Sequence, residues 1–213
     1  LGLAQASKLY RKVPEMNTDG LSNEGNEVAW GTIGNASTSE GMFFETINAA
    51  GVLQVPMVIS VWDDDYGISV HAKHQTTKEN ISEILSGFQR TDDDQGYEII
   101  RVKGWDYPAL IDAFEQAGKI AREQHVPVIL HVTELTQPQG HSTSGSHERY
   151  KSKDRLQWEK EHDCNTKMRE WMINNQIATD EELSEIEKDI KRKVREGKRN
   201  AWDAFLNPIK KEK

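Results

Sequence analysis

The chain has 213 residues, of which 36% are hydrophobic and 29% charged, and its formal net charge is -8 at pH 7. This length and composition suit one α/β domain with a small extension. The negative charge argues against nucleic acid or an anionic membrane surface as a partner, because both would repel the chain.

Cysteine usage and hydropathy indicate the compartment. Cys164 is the single cysteine, so no internal disulfide can form, which is typical of a reducing compartment. No apolar run approaches membrane-spanning length, and no signal peptide is recognised. We therefore expect a cytoplasmic protein. The chain begins inside a helical pattern and ends in a charged run, and we expect it to be a piece of a longer polypeptide.

Four segments rich in Val and Ile are predicted to be strands, and helical patterns lie between them. The predicted strands are 27–33, 55–61, 97–102 and 127–135, and the predicted helices are 39–54, 77–89 and 106–124. Near-continuous apolar runs are typical of strands that are covered on both faces. Strands that alternate with helices predict an α/β fold with a parallel sheet.

Capping residues predict where three helices start. Ser37 with Glu40, and Thr76 with Glu79, have the spacing of a capping box, in which two side chains satisfy free N–H groups reciprocally. Asp106 is predicted to cap the third helix, and a proline two positions later is compatible with its first turn.

The amino-acid composition of the chain changes after residue 135. Residues 137–147 are polar and rich in glycine, which predicts a loop, and two long charged helices are predicted at 153–174 and 180–205. Thr179 and Glu182 form a further capping box at the start of the last helix. We therefore predict an α/β domain over residues 1–150 and a C-terminal helical extension over 151–213.

A short loop with small residues follows the first predicted strand. Gly34 and Ala36 allow a ligand to approach the backbone closely, and the next helix would present its free N–H groups and positive dipole end to an anion. Asn35 lies between them. Many strand–helix turns have this composition, so an ordinary polar turn is the alternative to a phosphate site.

Three aspartates, Asp63, Asp64 and Asp65, follow the second predicted strand. If the first two strands are neighbours, both loops open at the same edge of the sheet and bring an amide and a carboxylate together. Mg²⁺ with a diphosphate prefers such hard oxygen ligands. A calcium loop requires a different spacing and a terminal Glu, and a polar turn remains the alternative.

Seven residues between 34 and 70 keep the spacing of a known motif: Glu40, Gly41, Glu45, Asn48, Pro56, Tyr66 and Gly67. This stretch resembles the thiamine diphosphate motif of 2-oxo acid dehydrogenases, in the alpha-type half of their decarboxylating component. The resemblance continues in the turn at 103–106, the loop at 139–144 and residues 149–151. It implies a three-layer thiamine diphosphate-binding fold with a mostly parallel central sheet.

The resemblance implies a Mg²⁺ site in which two ligands are exchanged. Asn35 stands where the family has Asp, and Asp64 stands where it has the metal-binding Asn, so the ligand charge is unchanged. The third ligand would be the main-chain carbonyl of Tyr66, and Asp63 is the second choice for the carboxylate. The residues implied to bind the cofactor are Gly34, Asn35, Ala36, Ser37, Asp64, Tyr66 and His141.

His141 lies in a loop that the family places near its cofactor and substrate. The resemblance implies a catalytic role, in which His141 positions or protonates charge as the 2-oxo acid loses CO₂, whereas a solvated loop histidine is the simpler interpretation. Ser142 matches a residue that is phosphorylated in some members. For Glu45 and Asn48, packing or a helix-face hydrogen bond is the alternative to a catalytic task.

The implied function is oxidative decarboxylation of a 2-oxo acid and transfer of the acyl group to a lipoyl group. The implied partners are the beta-type half, on a separate chain or the same polypeptide, a lipoyl acyltransferase and a small 2-oxo acid. We expect an oligomer in which this piece alone is inactive, because no match to the activating glutamate of the beta-type half is found. Which 2-oxo acid is used stays open.

Two other classes of protein remain compatible with the sequence. One is a different thiamine diphosphate enzyme, such as an acetoin dehydrogenase or a transketolase-like protein. The loop that contains His141 favours the dehydrogenase over a transketolase. The other is a non-catalytic domain of the same fold, in which the altered ligands no longer bind the cofactor. Metal-dependent binding of the cofactor separates the enzymes from the non-catalytic domain.

Overall fold

A computed structural model describes residues 1–13, 15–16, 19–141 and 146–211. The chain forms two compact units, Leu1–Lys167 and Met168–Lys213. The boundary at residue 150 stays a prediction. Within the described residues, no helix combines the length and apolar character that crossing a membrane requires.

The first unit contains a four-stranded parallel sheet and a small hairpin. The strands of the sheet are β1 (Ala29–Gly34), β2 (Met57–Trp62), β5 (Glu98–Lys103) and β6 (Val128–Thr133). The hairpin consists of β3 (Tyr66–Gly67) and β4 (Val70–His71). The helices of the first unit, and the helix that continues into the second, are α1 (Gly2–Lys12), α2 (Gly41–Leu53), α3 (Ile81–Ile84), α4 (Tyr107–Gln124), α5 (Lys153–Glu161) and α6 (Cys164–Asn174).

The sheet order β1-β2-β6-β5, with every pair parallel, confirms the predicted α/β fold. Strands β2 and β6 are central, and most of their residues are buried, as their apolar sequences predict. The carboxyl ends of β1, β2 and β6 lie side by side. The loops after these three strands therefore open at one edge of the sheet.

Helices cover both faces of the sheet. On one face, Ile47 of α2 and Ile81 of α3 belong to a core cluster with Val61 and Ile129 of the sheet. On the other face, a second cluster includes residues of α4, such as Ala117, with β2 and β6 residues. The structure therefore has the three layers that the sequence predicts.

The cap of α4 follows the prediction. The Asp106 side chain accepts a hydrogen bond from the Ala109 N–H at 3.2 Å, which satisfies one of the free donors of the first turn. In the second unit, helix α7 (Asp180–Lys211) starts with the predicted capping box. The Glu182 carboxylate accepts from the Thr179 N–H at 2.8 Å, and the Thr179 hydroxyl accepts from the Glu182 N–H at 3.2 Å.

The prediction of one continuous helix at 77–89 is wrong. The segment contains a 3₁₀ turn at Thr77–Glu79, the short α3 and a second 3₁₀ turn at Leu85–Phe88. Lys78 and Glu79 have φ angles of 60° and 58°, in the left-handed region, and this breaks a right-handed helix. Asn80 caps α3 instead of Thr76, since its side chain accepts from the Glu83 N–H at 3.1 Å.

Two further helix predictions need correction. The capping box of Ser37 with Glu40 is wrong, because residues Asn35–Ser39 form a 3₁₀ helix and α2 starts after Glu40 without a side-chain cap. The single helix predicted at 153–174 is two helices, α5 and α6, separated at residues 162–163. The ring of His162 stacks on Trp158 at 4.7 Å.

Candidate functional site

A cavity of about 720 Å³ lies where the loops after β1, β2 and β6 meet. It brings together residues from loops that are widely separated in the sequence. The seven residues predicted to bind the cofactor all line it: Gly34, Asn35, Ala36, Ser37, Asp64, Tyr66 and His141. The cavity therefore lies at the edge of the sheet at which parallel α/β folds bind their ligands.

Asn35 contributes a buried amide to the cavity. The residue is 7% exposed, and its Nδ2 atom is buried without a hydrogen-bond partner among the described residues. The surrounding 3₁₀ turn is held by the Thr38 hydroxyl, which donates to the Asn35 carbonyl at 2.6 Å. A buried amide without a partner is costly unless a ligand satisfies it. Rotation of the amide about its last torsion can turn either its oxygen or its nitrogen towards a ligand.

The loop after β2 starts with a buried aspartate that is fixed to the sheet. The Asp63 N–H donates to the Val132 carbonyl at 2.9 Å, and the Asp63 carbonyl accepts from the Leu135 N–H at 3.0 Å. Its carboxylate accepts from Nε2 of His131 at 2.8 Å and from the Asp65 N–H at 2.9 Å. Because these bonds occupy both carboxylate oxygens, Asp63 is less suited to bind a metal than its neighbour.

Asp64 is the carboxylate that lines the cavity. One of its oxygens accepts from the Tyr66 N–H at 3.2 Å, and Asp65 between them has a left-handed φ of 68°. Burial raises the pKa of Asp64 above its ordinary value, and the Tyr66 N–H and the Lys151 charge oppose this rise. A bound cation would offset the cost of keeping this carboxylate ionised.

A group of buried charges from α5 and the segment before it supports the aspartate loop. Arg155 donates to the Asp64 carbonyl at 2.8 Å and pairs with the Asp65 carboxylate. The same guanidinium donates to Glu159 at 2.8 Å, and Lys151 pairs with that oxygen of Glu159 at 2.7 Å. Lys151 lies in the segment 149–151 that the family resemblance includes, but Arg155 and Glu159 were not predicted, because nothing local to Arg155 indicates a contact with a loop 90 residues away.

The hairpin after the aspartates packs closely against the loop after β1. A Cβ on Gly67 would lie 2.6 Å from the Cβ of Ala36 and 2.5 Å from Nε2 of Gln75. Gln75 lines the same cavity, and its Oε1 is buried without a hydrogen-bond partner in the described part of the chain. The sequence analysis did not identify Gln75, and no local pattern singles it out.

Other predicted residues lie at the rim of the cavity or away from it. His141 is exposed and lines the cavity. Ser142 lies outside the described residues. Glu45 and Asn48 are exposed on α2, and neither lines the cavity, so the structure gives no support to a catalytic task for them.

The donor set of the cavity fits magnesium chemistry. Asp64 offers a carboxylate, Asn35 an amide and Tyr66 a main-chain carbonyl, and such hard oxygen ligands are what Mg²⁺ prefers. Across the described ranges, no group of three or more His, Cys, Asp or Glu side chains is arranged to hold a metal. A ligand set with a single carboxylate is compatible with that result.

The fold and the cavity define an α/β protein with a ligand site at the carboxyl edge of a parallel sheet. A family model described as "Dehydrogenase E1 component" matches residues 1–209. The chain therefore belongs to the dehydrogenase E1 component family, which confirms the family that the sequence analysis predicts.

Two relatives illustrate the match. Pyruvate dehydrogenase E1 component subunit alpha of Rickettsia bellii is 26% identical over 174 residues, which cover 82% of this chain and 51% of that protein. Mitochondrial 2-oxoisovalerate dehydrogenase subunit alpha 1 of Arabidopsis thaliana is 28% identical over 166 residues, which cover 76% of this chain and 33% of that protein. The chain thus spans about half or less of the length of these relatives.

A solved transketolase variant from Pichia stipitis is similar over 75% of this chain and 23% of its own length, with 18% identity and a TM-score of 0.47.

Proposed function

We propose that this chain forms the metal- and diphosphate-binding part of the decarboxylating component of a 2-oxo acid dehydrogenase. One observation carries the proposal: a single cavity is lined by all seven residues that the family motif implies, among them a buried amide nitrogen with no hydrogen-bond partner in the described part of the chain. Family membership and the relatives that act on pyruvate and 2-oxoisovalerate support the same reaction class.

In this proposal Asp64, Asn35 and the Tyr66 carbonyl hold Mg²⁺, and the backbone around Gly34 and Ser37 faces the diphosphate. Thiamine diphosphate, when bound, supplies the ylid and the electron sink that decarboxylation requires. The protein's own contribution is to anchor and orient the charged end of the cofactor. The open space beside Gly34, where a Cβ would meet nothing within 4 Å, is consistent with a ligand that approaches the backbone.

His141 lies at the mouth of the cavity and is proposed as the catalytic residue of this chain. Its exposed imidazole can donate a proton or a hydrogen bond towards a bound 2-oxo acid. The acyl group would pass to a lipoyl group of a partner acyltransferase. The beta-type half would complete the site, so the 213-residue chain alone is expected to be inactive.

The test is turnover by the full-length protein assembled with its partner half. We expect decarboxylation of at least one 2-oxo acid, dependent on both Mg²⁺ and thiamine diphosphate, and loss of activity in Asp64→Ala. Asp93→Ala is the control, because Asp93 is an exposed aspartate that lines a different cavity. If the assembly binds the cofactor but acts only on ketose phosphates, the result would favour a transketolase-like enzyme. Absence of cofactor binding would identify a non-catalytic domain.

The substrate is resolved by the same assay with a series of 2-oxo acids of increasing side-chain length. We expect pyruvate or a branched-chain 2-oxo acid to give the highest kcat/KM, because relatives of both kinds match the chain. The 213-residue chain, assayed by itself, should show no turnover. Activity of the isolated chain would contradict the proposal that the beta-type half completes the site.

A further inference from the structure

A histidine lies fully buried in the sheet next to the candidate metal loop. His131 on β6 is 0% exposed. Its Nε2 lies 2.8 Å from the Asp63 carboxylate, and its Nδ1 is hydrogen-bonded to the hydroxyl of Ser82 on α3. A fully buried polar ring in a sheet of Val and Ile requires such partners.

The directions of the hydrogen bonds follow from the groups themselves. A carboxylate has no proton to donate, so Nε2 of His131 is the donor to Asp63. The Ser82 hydroxyl can both donate and accept, so it pairs with Nδ1 whether or not that nitrogen carries a proton. Ser82 thus fixes the orientation of the ring, and the ring fixes the orientation of the carboxylate. His131 does not line the cavity, so it cannot contact a ligand there.

The oriented carboxylate of Asp63 shapes the loop that carries the candidate ligands. Its second oxygen accepts from the Asp65 N–H at 2.9 Å, and Asp65 has the left-handed φ of 68°. This region is uncommon for residues other than glycine, although aspartate tolerates it, and the bond from the Asp65 N–H to Asp63 helps to hold it. Asp64 and Tyr66, on either side of this turn residue, both line the cavity that Asn35 also lines.

We propose that His131, held by Ser82, is a positioning residue for the metal site: it orients Asp63 so that the loop presents Asp64 and the Tyr66 carbonyl to the cation. This inference rests on the proposed function for its consequence in metal binding. Loss of a residue that orients the direct ligands of a metal typically lowers metal affinity by about 10–100-fold.

The test uses the full-length protein assembled with its partner half, with thiamine diphosphate present in saturating amount. Mg²⁺ affinity is measured by calorimetric titration for the wild type, His131→Leu and His131→Gln. We expect His131→Leu to weaken Mg²⁺ binding about 10–100-fold. His131→Gln should recover most of the affinity, because its amide N–H can still donate to Asp63.

A second readout does not depend on metal. Amide hydrogen exchange is followed by mass spectrometry in a peptide that spans residues 63–67, without Mg²⁺. The expected result is faster exchange in His131→Leu, confined to this peptide, because Asp65 N–H loses an oriented acceptor. Faster exchange throughout the sheet would instead identify a general packing role and overturn the inference.

Thr133→Val is the matched control. Thr133 lies two residues along the same strand, so its side chain is on the same face as His131. It is 6% exposed, and its hydroxyl donates to the Val102 carbonyl at 3.3 Å, away from the aspartate loop. We expect wild-type Mg²⁺ affinity and wild-type exchange of the 63–67 peptide in this variant. An equal loss in Thr133→Val and His131→Leu would overturn the inference.

Ser82→Ala keeps the inference testable if His131→Leu does not fold. It removes only the outer hydrogen bond, and we expect a smaller loss of Mg²⁺ affinity in the same direction, with faster exchange at 63–67. Wild-type values for both readouts in Ser82→Ala, with His131→Leu unfolded, would count against positioning.

The failure of this inference can be distinguished from the failure of the proposed function. A wild-type assembly that binds neither Mg²⁺ nor thiamine diphosphate refutes the proposed function and the metal-positioning role together. A wild-type assembly that binds both, with His131→Leu unchanged in affinity, refutes the positioning role alone.

Discussion

The carboxylates of Asp63 and Asp64 are neighbours in the chain but have different surroundings. Asp63 is 6% exposed and is bonded to the buried His131, whereas Asp64 lines the cavity that also contains Asn35. Backbone hydrogen bonds to Val132 and Leu135 hold Asp63 against the sheet, whereas Asp64 follows in the loop that borders the cavity. Asp64 is therefore the carboxylate available to a cation, which supports the choice that the family register indicates.

The exchanged ligands give the first prediction. Asp64→Asn leaves two amides and no carboxylate in the candidate metal site, and we expect Mg²⁺ affinity to fall by at least about 10–100-fold. Asn35→Asp together with Asp64→Asn restores one carboxylate and one amide and should recover most of the affinity. Calorimetric titration of the full-length assembly measures both. A double variant that folds but does not recover would contradict the exchanged-ligand site.

Two glycines beside the cavity give the second prediction. A Cβ on Gly34 meets nothing within 4 Å, so Gly34→Ala should fold with unchanged stability. The added alanine methyl group would occupy space that the proposed function assigns to the cofactor. We therefore expect the affinity for thiamine diphosphate to fall by about tenfold, or about 1.4 kcal/mol. Fluorescence titration and thermal melting of the assembly measure the two effects separately.

Gly67→Ala is the contrasting variant of this pair. Its Cβ would lie 2.6 Å from the Cβ of Ala36, so the two loops must move apart. We expect both cofactor affinity and stability to decrease, the latter by about 1–3 kcal/mol. Equal stability losses for Gly34→Ala and Gly67→Ala would show that the space around Gly34 is not open.

The buried guanidinium of Arg155 gives the third prediction. Arg155→Ala removes hydrogen bonds to the Asp64 carbonyl and to the carboxylates of Asp65 and Glu159. Because Arg155 and Glu159 are 19% and 2% exposed, we expect the free energy of unfolding to fall by about 1–3 kcal/mol. Chemical denaturation of the full-length protein measures the change, and Mg²⁺ affinity should fall as the loop loosens.

Arg169→Ala is the control for the arginine prediction. Arg169 also pairs with two carboxylates, those of Asp180 and Glu187, but these carboxylates are 66% and 53% exposed. Exposed pairs contribute little because water screens them. The melting temperature and the Mg²⁺ affinity should stay close to those of the wild type. A larger destabilisation in Arg169→Ala than in Arg155→Ala would be inconsistent with this account.

Buried His125 gives a prediction about pH. Burial lowers its pKa below the ordinary value, and the positive charges of Arg11, Lys8 and Lys12 lower it further, while its hydrogen bond to the Gly25 carbonyl opposes the shift. The folded state therefore binds the proton less tightly than the unfolded state. As the pH falls below about 6.5, the free energy of unfolding should decrease, by at most about 1.4 kcal/mol per unit.

His125→Asn tests the pH prediction directly. His125 ends α4 with a left-handed φ of 53°, and asparagine tolerates that conformation without titrating. Urea unfolding of the full-length protein between pH 5 and 8 should show a weaker decrease on acidification in this variant. His74→Asn replaces an exposed histidine and serves as control. The same pH slope in all three proteins would assign the acid sensitivity to other groups.

The four strands of the main sheet were predictable as strands because burial on both faces demands apolar runs. The runs that became β2 and β6 consist almost wholly of Val, Ile, Leu and other apolar residues, and their predicted bounds differ from the structure by one or two residues at most ends. The caps of α4 and α7 were predictable as well, because a cap is a contact between residues three positions apart.

The broken helices were not predictable from local pattern. Lys78 and Glu79 are ordinary helix residues, yet both adopt left-handed φ angles in the segment that leads to α3. Helix α5 ends where His162 stacks on Trp158 at 4.7 Å and meets Trp105 edge to face at 5.3 Å. Trp105 is distant in the sequence, so the contact that accompanies this helix end exists only in the folded chain.

The sequence alone determined the parallel α/β sheet, the family and seven of the residues that line the cavity, because hydrophobic periodicity and motif spacing are local properties. Only the tertiary structure decided that Asp63 is bonded away from the cavity, that the Asn35 Nδ2 atom has no hydrogen-bond partner among the described residues, and that His131 and Arg155 hold the aspartate loop. These facts depend on hydrogen bonds between residues about 70 and 90 positions apart. Such pairs are selected by how strands and helices pack, and no short stretch of sequence specifies them.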